Sequence, residues 1–236
     1  MAQLCVALDF DNTSQAIDCV KLLVDEVKWF KVGMELYNLA GPSIISQIKE
    51  LGAQIFLDLK LHDIPKTVER TASVLAKLGV GMFNVHASGG SAMLKAAREG
   101  ALAGADSSGL PEPLLVGVTV LTSLDQAALL ELGISDTPQT QVLRLARLSK
   151  EQNLHGVVCS PLEAELLRGE LGKNFVLVTP GIRPSQSSVG DQKRIATPKR
   201  AVRWGADYLV VGRPITKATD PKGAAHSILL EMGEQA

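Results

Sequence analysis

The stretch Gln54-Ile-Phe-Leu-Asp58-Leu-Lys60-Leu-His62-Asp63-Ile-Pro65-Lys-Thr67-Val68 begins apolar and turns abruptly charged. Ile55, Phe56 and Leu57 make a short apolar run of the kind that fills a strand buried on both faces. Alternate side chains of an extended chain share a face, so Asp58 and Lys60 are expected on the same side. Asp63 falls just past the strand end, and Pro65 suits the first turn of a following helix. Asp-x-Lys-x-x-Asp thus puts a carboxylate, an ammonium and a second carboxylate at the carboxyl end of a buried strand, where charge is costly unless paired or used. A structural ion pair capping the strand is one reading. Against it stands the imbalance of two carboxylates and one lysine, which a purely structural arrangement would avoid. Flanking carboxylates keep Lys60 an ammonium, which makes it a proton donor rather than a Schiff-base nucleophile.

The surrounding chain has 236 residues, room for one large α/β domain or two small ones. With 46% hydrophobic and 21% charged residues it has a globular composition, and general disorder is excluded. A net charge of −1 offers no basic field for nucleic acid or an anionic membrane, and 4% aromatic content argues against base-stacking platforms. Cys5, Cys19 and Cys159 lack metal-type spacing and read as reduced thiols of a cytoplasmic protein. The opening run to Asp9 has no basic segment and reads as a strand, not a signal peptide. No apolar run approaches the roughly 20 residues a membrane helix needs.

Short apolar runs alternate with helix-period segments throughout. Strands are predicted at Leu4–Asp9, Trp29–Gly33, 54–60, Met82–His86, Leu114–Leu121, Gly156–Cys159, Phe175–Thr179 and Tyr208–Gly212. Helices are predicted at Ser14–Val24, 34–50, 64–78, 91–101, 138–151, 161–169, 197–204 and 222–233, with a Gly/Ser-rich connection over Ala103–Pro113 and a polar segment over 180–196. This is the pattern and close to the length of a single (β/α)8 TIM barrel, taken as one domain over 1–236. An open doubly wound sheet is the rival, but no strand-adjacent Gly-x-Gly-x-x-Gly supports it.

In such barrels functional groups sit at the carboxyl ends of the strands. Those positions hold Asp9, Lys31, Asp58 with Lys60, His86, Thr122, Arg183 and Arg213. Asp9, Lys31, Asp58, Lys60 and Asp63 would alternate in sign around one rim, an array held in place before any substrate arrives. Thr179-Pro-Gly-Ile-Arg183 and Val211-Gly212-Arg213-Pro214 end the last two strands. Barrels often bind phosphate there with glycine amides and a cation, although turn glycines followed by solvated arginines would look the same. Pro184–Arg194 is long, rich in small residues and aperiodic; it is a lid over the phosphate or an idle surface loop. His62 and His86 read as hydrogen-bonded structural residues. No His, Cys and carboxylate set has zinc spacing, and Lys31 crowds out a magnesium site.

Four motifs carry a resemblance: Phe56-Leu-Asp-Leu-Lys-Leu-His-Asp-Ile-Pro65, Asn84-Val-His-Ala-Ser-Gly-Gly90, Val118-Thr-Val-Leu-Thr-Ser123 and Val178-Thr-Pro-Gly-Ile-Arg-Pro184. With them the chain resembles the orotidine 5′-phosphate decarboxylase family over nearly its whole length, from Val6-Ala-Leu-Asp9 to Val211-Gly-Arg-Pro214; Lys66 stands where many members carry Asn. The resemblance implies conversion of orotidine 5′-phosphate to UMP and carbon dioxide in de novo pyrimidine biosynthesis. It implies a homodimer with two active sites at the interface and no metal or cofactor. Lys60 would protonate C6 of the pyrimidine and Asp58 would face the substrate carboxylate, while Lys31 and Asp9 would hold the ribose and the charge array. Asp63 and Thr67 would reach into the partner's site. Thr122 would contact the pyrimidine, and Gln192, Gly212 and Arg213 the phosphate, with Arg183 nearby.

Related barrels use the same Asp-x-Lys-x-x-Asp on sugar phosphates, need Mg²⁺ and carry an acid near position 31, where this chain has Lys31. A nucleotide-binding protein that has lost catalysis is a reading from a different class, opposed by the intact Asp58, Lys60 and Asp63.

Overall fold

A computed structural model describes residues 2–184 and 196–233. Strands and helices alternate along them: β1 (Gln3–Ala7), α1 (Thr13–Leu23), β2 (Trp29–Gly33), α2 (Met34–Ala40), α3 (Ser43–Glu50), β3 (Gln54–Leu61), α4 (Pro65–Lys77), β4 (Met82–His86) and α5 (Gly90–Ser108). There follow β5 (Leu114–Val118), α6 (Gln126–Glu131), α7 (Pro138–Glu151), β6 (Gly156–Val158), α8 (Ala164–Leu171), β7 (Val176–Thr179), α9 (Pro198–Arg203), β8 (Tyr208–Val211), α10 (Arg213–Thr216) and α11 (Pro221–Met232). Each strand pairs in parallel with the next, and β8 returns to β1, so the sheet closes into the expected (β/α)8 barrel.

The period of two along each strand sorts the side chains. Leu4 and Val6 of β1, Phe30 and Val32 of β2, and Ile55 and Leu57 of β3 point outward into the core shared with the helices. Cys5, Ala7, Phe56, Met82, Val116, Val178 and Val210 point inward and fill the barrel as a packed interior. By the same alternation Lys31 follows Trp29 inward, and Asp58 follows Phe56. The apolar interior ends there, and the polar site rests on it.

Several boundaries differ from the sequence expectation. The helix expected over 34–50 is two, α2 and α3, because Gly41 takes φ +64° and Pro42 follows it. Strand β5 stops at Val118, short of Leu121. Helix α5 runs to Ser108, through residues expected to be a connection, and Gly109 caps it at φ +63°. Its small residues serve packing. A Cβ at Gly100 or Gly104 would lie well inside van der Waals contact of the backbone oxygens of Glu69 or Ser73, so α5 presses directly on the α4 backbone. Gly→Ala within a helix ordinarily stabilises by about 0.5–1 kcal/mol. Here Gly100→Ala is expected to reverse that sign, costing roughly 2 kcal/mol and lowering the melting temperature by about 5 °C; a thermal melt checks it.

Among the described residues no helix is long and apolar enough to cross a membrane.

Candidate active site

A cavity of about 410 Å³ opens at the carboxyl ends of the strands. Ala7, Phe56, Val118, Val158 and Val210 form its apolar floor, and Asp9, Lys31, Asp58, Lys60, Thr122, Arg183, Gly212, Arg213 and Lys217 also line it. Eight residues singled out from the sequence therefore meet in one place, contributed by β2, β3 and the segments that follow β1, β5, β7 and β8.

Four of them form a chain of alternating charge. Lys31 Nζ lies 3.0 Å from Asp9 Oδ1 and 3.4 Å from Asp58 Oδ2, and Lys60 Nζ lies 2.6 Å from Asp58 Oδ1. Burial opposes the charged form of Lys31, yet Asp58 and Asp9 outweigh it and hold its pKa above the ordinary lysine value. Burial likewise opposes ionisation of Asp58, but Lys31, Lys60 and a hydrogen bond from Asn84 hold its carboxyl below the usual range. Lys31 and Asp58 are thus each kept charged by their neighbours in a largely buried place, where an isolated ion would be costly.

Lys60 is not placed by regular strand alternation alone. Its φ is +53°, in the left-handed region, which costs a non-glycine residue about 1–2 kcal/mol. The ladder between β3 and β4 slips at the same point, between Leu57 and Leu61. Strain located at the residue that carries the ammonium is characteristic of functional positions.

Asp63 and Thr67 are exposed and stand apart from the cavity of their own chain. Asp63 Oδ1 accepts from the Ile64 amide at 2.6 Å, at the entrance to α4, whose first residue is Pro65 as expected. Arg183 is buried, and its amide donates to Ala196 O at 2.9 Å, so the two sides of the segment 185–195 are tied together. Gln192, and most of the lid expected over Pro184–Arg194, lie outside the described residues. His62 and His86 stack with ring centroids 5.4 Å apart.

Burial, then His62 and Lys60, push the His86 imidazole below its ordinary 6.5, with Asp58 pulling the other way. The unfolded chain therefore takes up this proton first as the pH falls through about 6.5. The stability His86 contributes is complete above that pH and is lost as the pH falls to its folded value. His86→Gln is expected to flatten the decline of melting temperature between pH 7.5 and 5.5, measured in matched buffers.

Two neighbours were not anticipated. Lys217 lies one helical turn past Arg213, its amide bonded to Arg213 O at 3.1 Å, and only the short α10 brings it to the rim. Asn84 sits below the charges, 1% exposed, and touches both Asp58 and Lys60. Its signal was an amide side chain inside the apolar run of β4, a residue type depleted in strands and costly to bury unpaired. Among the described residues no group of three or more His, Cys, Asp or Glu side chains is disposed to hold a metal ion.

Residues 2–228 match the profile of the Orotidine 5'-phosphate decarboxylase / HUMPS family. An orotidine 5'-phosphate decarboxylase of Pseudoalteromonas translucida is 51% identical over 216 residues, covering 92% of this chain and 91% of the relative. One from Nitrosococcus oceani is 50% identical over 231 residues, covering 98% and 97%. The crystal structure of orotidine 5'-phosphate decarboxylase from Lactobacillus acidophilus superposes with a TM-score of 0.88 at 44% identity, covering 99% of this chain and 100% of that one. With a matched profile over nearly all its length and relatives at half identity, the chain belongs to the orotidine 5'-phosphate decarboxylase / HUMPS family.

Proposed function

We propose that the chain is one catalytic barrel domain that decarboxylates orotidine 5′-phosphate to UMP in pyrimidine biosynthesis, without metal or cofactor. The observation that carries this reading is the continuous array Asp9–Lys31–Asp58–Lys60 facing a cavity that Arg213 also lines. Loss of carbon dioxide from C6 leaves a carbanion with no conventional electron sink. Enzymes lower such barriers by about 8–23 kcal/mol, and with no covalent route the contribution here comes from charge placed in advance. Lys60 stabilises the developing carbanion and then delivers its proton to C6. Asp58 faces the departing carboxylate and, with Lys31, fixes the Lys60 ammonium. Asp9 and Lys31 hold the ribose, and Thr122 contacts the pyrimidine. Gly212, through its backbone, and Arg213 take the phosphate, with Arg183 beside them. Phosphate binding far from C6 supplies energy that is spent at the reacting carbon.

The working unit in this proposal is a homodimer. Asp63 and Thr67 stand outside their own cavity, and Ile64 between them is 67% exposed. Met34 and Leu121, which follow the ends of β2 and β5, are exposed as well. Apolar groups around the mouth of the barrel support a covering second copy, with Asp63 and Thr67 completing the neighbouring site.

The test is the ultraviolet absorbance change on adding orotidine 5′-phosphate to EDTA-treated protein. Rapid conversion to UMP is expected. Silence toward this substrate, with Mg²⁺-dependent turnover of a sugar phosphate, would replace the reading by the other activity class of the family.

A further inference from the structure

We infer that Asn84 is a positioning residue for this decarboxylation, one that holds the Lys60 backbone and the Asp58 carboxylate in their reactive relation without touching substrate. The inference rests on the function proposed above and identifies what fixes its proton donor.

Leu57 pairs with Phe83 and Leu61 with Val85, so Asp58, Leu59 and Lys60 stand opposite Asn84 alone. Across that gap the regular ladder cannot serve the backbone, and an amide left unpaired in a half-buried place is costly. The Asn84 side chain takes over the missing rung. Its Oδ1 accepts from the Lys60 backbone N–H at 2.7 Å, and its Nδ2 donates to Asp58 Oδ1, also at 2.7 Å. That same Asp58 oxygen accepts from Lys60 Nζ at 2.6 Å, so one carboxamide, one carboxylate and one lysine close a small ring of hydrogen bonds.

The chemistry selects asparagine. An ionised carboxylate only accepts and a backbone N–H only donates, so the bridging group needs an acceptor and a donor a single carboxamide apart. Aspartate would supply the acceptor but set a second negative charge against Asp58. Alanine would supply neither. Lys60 is in the left-handed region, a conformation that persists only where the surroundings over-determine it. Asn84 is the neighbour that bonds the Lys60 amide, and it is not among the residues lining the cavity. Its effect on the reaction therefore passes through Lys60 and Asp58.

The experiment compares Asn84→Ala and Asn84→Asp with the parent chain, measuring kcat and KM for orotidine 5′-phosphate and the affinity for UMP by titration. Displacement of a reacting group by about 1 Å costs roughly 10²-fold in rate. Both variants are expected to lose kcat on that scale while KM and UMP affinity stay within about threefold, because the binding groups at the rim are untouched. Loss of kcat together with an equal loss of UMP affinity would overturn the inference in favour of a general structural role. So would kcat within threefold of the parent. Should Asn84→Ala not fold, the near-isosteric Asn84→Asp decides by the same criteria, and failure of both to fold would also overturn it. A parent chain silent toward orotidine 5′-phosphate would overturn the function itself, and that outcome is known before any variant is made.

Discussion

Lys60→Ala is expected to abolish measurable turnover of orotidine 5′-phosphate while UMP affinity remains within about tenfold. In the proposed mechanism two contributions vanish together. A positioned general acid is worth roughly 10²–10⁴-fold, and a preorganised charge at the developing carbanion roughly another 10²–10³-fold. Together they predict a fall on the order of 10⁵-fold, beyond what steady-state absorbance detects. Binding persists because Arg213, Thr122, Asp9 and Lys31 still line the cavity. Near-normal turnover would remove Lys60 as donor. The backbone adds a comparison that activity cannot give. Alanine keeps a Cβ at φ +53° and glycine does not, so Lys60→Gly should be as inactive as Lys60→Ala yet more stable by about 1 kcal/mol, the reverse of the usual order.

Asp58→Asn carries the second largest effect. Asp58 is 9% exposed and joins Lys31, Lys60 and Asn84, so its neutralisation leaves two ammonium groups facing one amide. Removing one partner of a buried ionic cluster costs about 3–5 kcal/mol. Lys31 keeps Asp9 at 3.0 Å, which puts the expected loss near the lower figure of about 3 kcal/mol, or roughly 10 °C in melting temperature. Turnover should fall by about 10³-fold, since the charge that fixes Lys60 is lost along with the charge that, in the proposed mechanism, faces the substrate carboxylate. The stability difference has a defined pH dependence. The Asp58 carboxyl is held below its ordinary 3.8 in the folded chain, so its contribution is complete above that pH and disappears as the pH falls through the folded value. Melting curves of the two proteins should converge below about pH 4. A constant gap down to the lowest pH would mean that the loss is one of packing.

The charged end of β3 was legible because it is local: apolar alternation fixes which side chains face inward, and the first charges mark where the barrel interior stops. The same alternation carried Asp9, Lys31 and Gly212 to the rim. Asn84 and the left-handed turn at Lys60 were not legible in this way. The slip that joins them lies between two strands, and no periodicity within either strand records a missing rung. Helix α5 shows the complementary failure. Gly104, Ser107 and Ser108 have the composition of a connection, but Gly104 is small because α4 lies against it. Lys217 was missed for a simpler reason: it is not at a strand end, and only the turn of α10 returns it to the cavity.

The contact of α5 with α4 reaches further than stability. Helix α4 begins two residues after Asp63 and carries Thr67 in its first turn, while its backbone rests directly on Gly100 and Gly104. Backbone against backbone leaves no flexible side chain to absorb a misfit, so Gly100 and Gly104 set the height of α4. In the proposed dimer that helix delivers groups to the neighbouring subunit, and the machining tolerance of one protomer's interior becomes the alignment tolerance of the other's chemistry. A methyl group added far from either cavity would then be felt first across the interface, at the site of the other protomer.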